Sequence, residues 1–150
     1  MSQISYPYYR LQSWRYVFVS DGKKKIQKIV DFVPLRQGNI INLGFGDLSP
    51  DGSIDDKANS NNGDIIKVLA TVIDILKDFT SFHPNAQVFF AGSTDERTRL
   101  YNRILKLYYL DFSKEFIIVG ATIINGRIHY SPYDPNFHKD YSAFIIKRIS

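Results

Sequence analysis

KANSNNGDIIKVLATVIDILKDFTSFHPNAQVFFAGSTDERTRLYNRILKL, residues Lys57 to Leu107, decides the fold. It reads as a polar loop, a long apolar helix, a short buried strand and a second, basic helix. In the first helix Ile65, Val68, Leu69, Val72, Ile73, Leu76 and Phe79 recur at three- and four-residue spacing, an amphipathic pattern. Ile66 and Ile75 widen the stripe, which predicts cover on more than one side. Asn61 or Asn62 is the expected N-cap, Asp64 falls in the first turn, and Pro84 ends the segment. AQVFFAG is a short continuous apolar run, as expected of a central strand with a parallel neighbour. Ser93-Thr94-Asp95-Glu96 reads as a capping box that opens the second helix. Leu100, Ile104, Leu107 and Tyr108 are its expected core stripe, with Arg97, Arg99, Arg103 and Lys106 around the rest.

Upstream, residues 1–13 read as an extended arm packed down by Tyr6, Tyr8 and Tyr9. WRYVFVS alternates as a strand, with Trp14, Tyr16 and Phe18 on one face. Asp21-Gly22 signals a hairpin, and KIQKIVDFVPL returns. NIINLGFGDL is a third strand, with Ile41, Leu43 and Phe45 on one face and Gly44 and Gly46 on the other. Two glycines there leave backbone open to a ligand, or mark a bend. Ser49-Pro50-Asp51-Gly52 fits a type I turn at the start of a long loop. Downstream, FIIVGATII and RIHYS flank Asn125-Gly126, a type I′ hairpin signal, and YSAFIIKRI supplies a last strand. The expected fold is one α+β domain over 1–150. Its sheet is mixed but mostly antiparallel, of about seven strands with two main helices, in the order βββαβαβββ.

The chain has 150 residues, 44% hydrophobic and 15% aromatic, enough for one core. Its net charge of +4 is too mild for a dedicated nucleic-acid binder. It has no cysteine, no apolar run near the ~20 residues of a membrane span, and no signal-peptide pattern in MSQISYPYYR. A cytoplasmic protein is expected, with no membrane association. His83, His129 and His138 read as surface or capping histidines. Asp51, Asp55 and Asp56 lack the spacing of a calcium loop, so no metal is expected. There is neither a P-loop nor a GxGxxG.

The remaining candidate is the polar turn Asn59-Ser60-Asn61-Asn62-Gly63-Asp64. It is either a plain helix cap or an anion site built from free backbone N–H groups. Asp64 competes with an anion there, and no Lys or Arg follows Lys57 in the loop. Arg97 and Arg99 near a helix start oppose its dipole by about 0.3–1 kcal/mol each. With Arg103 and Lys106 they form either a solvated face or a site for an anion or partner.

Asn62-Gly63-Asp64 through Phe79, then VFFAGS, then Thr98-Arg99-Leu100-Tyr101-Asn102-Arg103-Ile104-Leu105, resembles a family of small uncharacterised bacterial and phage proteins. More remotely, it is similar to the second half of the GNAT acyltransferase fold. That likeness implies a coenzyme turn at Asn62, Gly63 and Asp64, backbone exposed to the pantetheine arm at Gly44 and Gly46, and a general acid at Tyr101. Acetyl-CoA would then be the cofactor. Only Gly63 of the family's glycine-rich turn is present, and a hairpin replaces the two helices after the first strand. The favoured expectation is therefore a non-catalytic accessory or interaction protein on a GNAT-like core, without cofactor. Its partner would be an unknown protein or a second copy. The alternatives are an acyl-CoA-dependent N-acyltransferase and a nucleic-acid-associated protein using the basic helix at 94–109.

Overall fold

The structure is a computed structural model that describes residues 5–36, 39–55 and 62–149. The strands are β1 (Tyr8–Gln12), β2 (Arg15–Asp21), β3 (Lys25–Pro34), β4 (Ile40–Leu48), β5 (Ile54–Asp55), β6 (Gln87–Ala91), β7 (Phe116–Ile124), β8 (Arg127–Pro132) and β9 (Ala143–Arg148). The helices are α1 (Ile65–Phe82), α2 (Asp95–Leu107) and the short α3 (Tyr109–Phe112). The sheet runs β1-β2-β3-β4-β6-β9-β7-β8, with β5 on β4. β4 and β6 pair in parallel, whereas β1–β2, β2–β3, β4–β5, β6–β9, β7–β8 and β7–β9 are antiparallel. The protein is thus α+β with a mixed, mostly antiparallel sheet. Among the described residues there are nine strands, where about seven are expected.

Both additional strands arise where the sequence offers no alternation to read. The arm pairs its backbone with β2, Tyr8 opposite Phe18 and Arg10 opposite Tyr16, and so becomes β1. In the long loop, Gly52 N donates to Ser49 O at 2.9 Å and closes the expected turn. Ile54 and Asp55 can then fold back on Leu48 and Asp47 as β5.

The chain divides into two compact units. The first comprises the residues up to Val33 and Leu43–His83. Its core is aromatic. α1 lays Phe79 flat on Phe32, ring centroids 3.8 Å apart, with Trp14 edge-on to Phe79. The Tyr16 hydroxyl donates to Asp78 at 2.8 Å, and Tyr6 N donates to Thr71 Oγ1 at 2.8 Å. α1 is therefore covered by the sheet and by the arm along Val68, Leu69, Val72, Ile75, Leu76 and Phe79, whereas Ile65 and Ile66 of the expected stripe are exposed at its start. Tyr6 is buried against Phe18 and Tyr8 leans on Tyr16, but Tyr9 faces solvent.

The second unit comprises Pro34–Asn42 and the residues from Pro84 onward. Ile40, Ile41 and Asn42 pair with Gln87, Val88 and Phe89, and β9 lies between β6 and β7. Val88, Phe116, Phe144 and Ile146 are its buried centre. α2 begins one residue later than the capping box implies. Thr94 is the N-cap, and its side chain accepts from Arg97 N at 3.2 Å. The third helical residue is then Arg97 rather than Glu96, so the reciprocal half of the box has no carboxylate. The buried face of α2 carries Ile104 and Leu105, with Tyr101 against Phe90. A face centred on Tyr101 leaves Leu107 about 120° away at 100° per residue, and Leu107 is exposed.

Candidate functional site

Asn62, Gly63 and Asp64 sit where α1 begins, and the side chains of Asn62 and Asp64 turn inward, to the β2–β3 hairpin and to Tyr6 of the arm. Asn62 is buried. Its Nδ2 donates to Ser20 O at 3.3 Å, Ser20 Oγ at 3.0 Å and Lys24 O at 2.6 Å. Its Oδ1 accepts from Lys24 N at 2.9 Å, and its carbonyl accepts from Lys23 N at 2.9 Å. The hairpin comes this close because residue 22 is glycine. A Cβ there would stand 1.9 Å from Asn62 O. Gly63 has a φ of +81°, a backbone conformation that suits glycine.

Asp64 is the N-cap of α1 by position, yet its side chain makes no capping bond. It instead accepts the Tyr6 and Ser20 hydroxyls on Oδ2, each at 2.5 Å. This corrects two expectations: Asn62 does not cap the helix, and Asp64 lies before the first turn rather than in it. Asn61 lies outside the described residues. Lys67 Nζ stands 4.3 Å from the centre of the Tyr6 ring, and Asp21 N donates to the Tyr6 hydroxyl at 3.0 Å. Burial first, then the bond to Asp64, pushes the Tyr6 hydroxyl above its ordinary pKa. Tyr16 is pushed up too, mainly by burial and then by Asp78. Both hold their protons through neutral pH.

The two glycines of β4 belong partly to this unit's interior. Gly46 is buried, and a Cβ on Gly44 would meet Ile54 of β5 at 3.6 Å, an ordinary contact. Next to them Lys28, itself buried, forms an ion pair with Asp47. Lys28 shares a strand face with Val30 and Phe32, both buried, which is the signal for that pair, and the strand's alternation alone does not reveal its partner.

Tyr101 belongs to the second unit, half-buried and edge-on to Phe90 at 5.6 Å between centroids. Arg99, Arg103 and Lys106 lie on the exposed side of α2, and Arg97 is half-buried. Asn102 on the same helix binds Tyr141 at both backbone groups. Its Nδ2 donates to Tyr141 O at 2.9 Å, and its Oδ1 accepts from Tyr141 N at 2.8 Å. Around Tyr141, Tyr133 is pushed up to about 12 by burial, with Tyr141 and Tyr109 adding to it. The structure therefore gathers Asn62 and Asp64 around Ser20, and Tyr101 with the basic residues on α2. These are separate groups in separate units.

Among the described residues every buried side-chain nitrogen and oxygen has a hydrogen-bond partner. No group of three or more His, Cys, Asp or Glu there could hold a metal ion. No helix of the described residues is long and apolar enough to cross a membrane.

These features define a small α+β protein whose best candidate site, the turn before α1, is wired into its own hairpin. The chain belongs to a family of unknown function, DUF6934, whose model matches residues 2–149. No curated protein and no solved structure matches it.

Proposed function

We propose that this protein is a non-catalytic accessory or interaction protein of the bacterial or phage cytoplasm, on a scaffold similar to the GNAT core. The observation that carries this reading is the turn at Asn62, Gly63 and Asp64. A coenzyme turn needs donors facing outward to receive a pyrophosphate. Here the Asn62 side chain is spent on Ser20 and Lys24, and the Asp64 carboxylate on Tyr6 and Ser20. A carboxylate held at that spot also repels an anion.

The alternative, acyl transfer from acetyl-CoA, draws on the parallel β4–β6 pairing joined through α1 and followed by Leu100-Tyr101 on α2. A melting experiment separates the two. A coenzyme at one hundred times its dissociation constant stabilises the native state by about 2.7 kcal/mol. That raises the melting temperature by roughly 5–11 °C for a chain of this size. The accessory reading expects no shift with millimolar acetyl-CoA, and a shift of several degrees would overturn it.

A further inference from the structure

The outer edge of β8 carries backbone groups that no other strand of the described chain takes up. Ser142 N donates to Ala121 O, and Tyr133 N donates to Ile118 O. Odd-numbered residues of β7 therefore turn their backbone groups to β9, and even-numbered ones to β8. The register sets Thr122 opposite His129 and Gly120 opposite Ser131. His129 and Ser131 thus bond inward, and the N–H and C=O of Ile128 and Tyr130 point outward from the end of the sheet. The next outward position is Pro132, which has no N–H. At the other end the strand stops at the Asn125-Gly126 turn, where both residues have positive φ. The open edge is one short segment with two donors and two main acceptors. Beside it lies an apolar strip, Ile117, Ile123, Ile128 and Tyr130, each more than half exposed.

We propose that this edge receives β8 of a second copy, paired antiparallel about a two-fold axis at His129. In that register Ile128 exchanges both bonds with the partner's Tyr130, and Tyr130 with the partner's Ile128. All four outward groups of the two residues are then satisfied, and an isoleucine lies beside a tyrosine on one face at each pair, a favourable cross-strand combination. A second copy fits better than a foreign strand. The outward groups are two residues apart and so complement themselves, whereas a longer strand meets the missing donor at Pro132. Charge agrees on either side of the axis, because Arg127 then faces the partner's Ser131, and at the axis His129 meets the partner's His129. Such an isologous contact closes on itself, so pairing stops at two. This inference gives the partner in the interaction reading, but it has its own readout.

The chain has no cysteine, so single cysteines report the register. His129→Cys places its thiol at the axis, across a non-hydrogen-bonded pair with Cα atoms about 4.5 Å apart, within disulfide range. Arg127→Cys alone stands roughly 13 Å from its own copy. Mixed with Ser131→Cys, it is directly opposite a thiol again. The expected result in a glutathione redox buffer is rapid covalent dimer for His129→Cys and for the mixture, and slow dimer for Arg127→Cys alone. Tyr130→Pro removes an outward N–H without touching the β7 ladder. It should weaken dimerisation more than tenfold by sedimentation while leaving the circular dichroism spectrum intact. Equal cross-linking at 129 and 127, or unmodified protein that sediments as a monomer at 100 μM (on the order of a weak dimer's working range), overturns the proposal. Neither outcome bears on the coenzyme test.

Discussion

Replacing Asn62 with alanine should cost far more stability than a loop asparagine normally does. Three well-formed bonds are lost: Nδ2 to Ser20 Oγ at 3.0 Å, Nδ2 to Lys24 O at 2.6 Å, and Lys24 N to Oδ1 at 2.9 Å. Each contributes a net ~0.5–1.5 kcal/mol. The Lys24 backbone lies in an exposed turn, where water replaces the lost partner. Ser20 is fully buried, so its Oγ keeps only the bond to Asp64. Together the loss comes to about 3 kcal/mol. A domain of this size loses roughly 2–4 °C of melting temperature per kcal/mol, so the drop is on the order of 6–12 °C. Urea unfolding of Asn62→Ala should give a lower midpoint at unchanged slope, meaning that the native state has weakened without loosening. Gly22→Ala strikes the same contact from the other side, since its Cβ would collide with Asn62 O. The double variant should therefore lose much less than the sum of the two. A loss below about 1 kcal/mol for Asn62→Ala, or full additivity, would refute the idea that this side chain holds the hairpin to the start of α1.

Alkali should unfold the protein through its buried tyrosines. Tyr6, Tyr16 and Tyr133 all have hydroxyl pKa values raised above 10.0 in the native state. Their contribution is complete below pH 10 and falls above it, because the unfolded chain ionises first; for Tyr133 the fall continues to about 12. The slope is at most about 1.4 kcal/mol per pH unit per tyrosine. Urea midpoints at pH 9 and 11 should differ, and Tyr133→Phe should shrink the difference; equal midpoints for the parent protein would count against it. In the second unit, Gly120→Ala puts a methyl 2.3 Å from the Tyr141 ring, whose backbone Asn102 holds at both ends. A loss of about 1–3 kcal/mol by thermal melting is expected from such overpacking, and an unchanged melting temperature would mean that Tyr141 moves freely.

Periodicity made the centre of the fold legible. α1 shows its face as Val68, Leu69, Val72, Leu76 and Phe79, all buried, and the continuous run of β6 announces a strand with neighbours on both sides. Asn125-Gly126 closes the hairpin it signals. What escaped was set by long-range partners. β1 has no alternation of its own and is a strand only because β2 offers an edge. Leu107 looks like core on a helical wheel, but the orientation of α2 is fixed by Tyr101 on Phe90 and by Asn102 on Tyr141. At the candidate site, Asn62 and Asp64 have the composition of a helix start. Their real partners, Ser20, Lys24 and Tyr6, are about 38 to 58 residues away in sequence, beyond the reach of any local rule.

The position of β9 between β6 and β7 also fixes the order in which the second unit can assemble. Consecutive strands usually lie side by side, but here β6 and β7 are kept apart until β9 arrives to bond with both. A nascent chain that has reached only Pro132 holds β6 and the β7–β8 hairpin with unpaired edges, including the apolar residues of Val88 and Ile118. Such edges invite wrong pairings. Synthesis must pass Arg148 before that unit closes, whereas every segment of the first unit has been made once His83 is joined to the chain. The first unit can begin folding on the ribosome while the second waits.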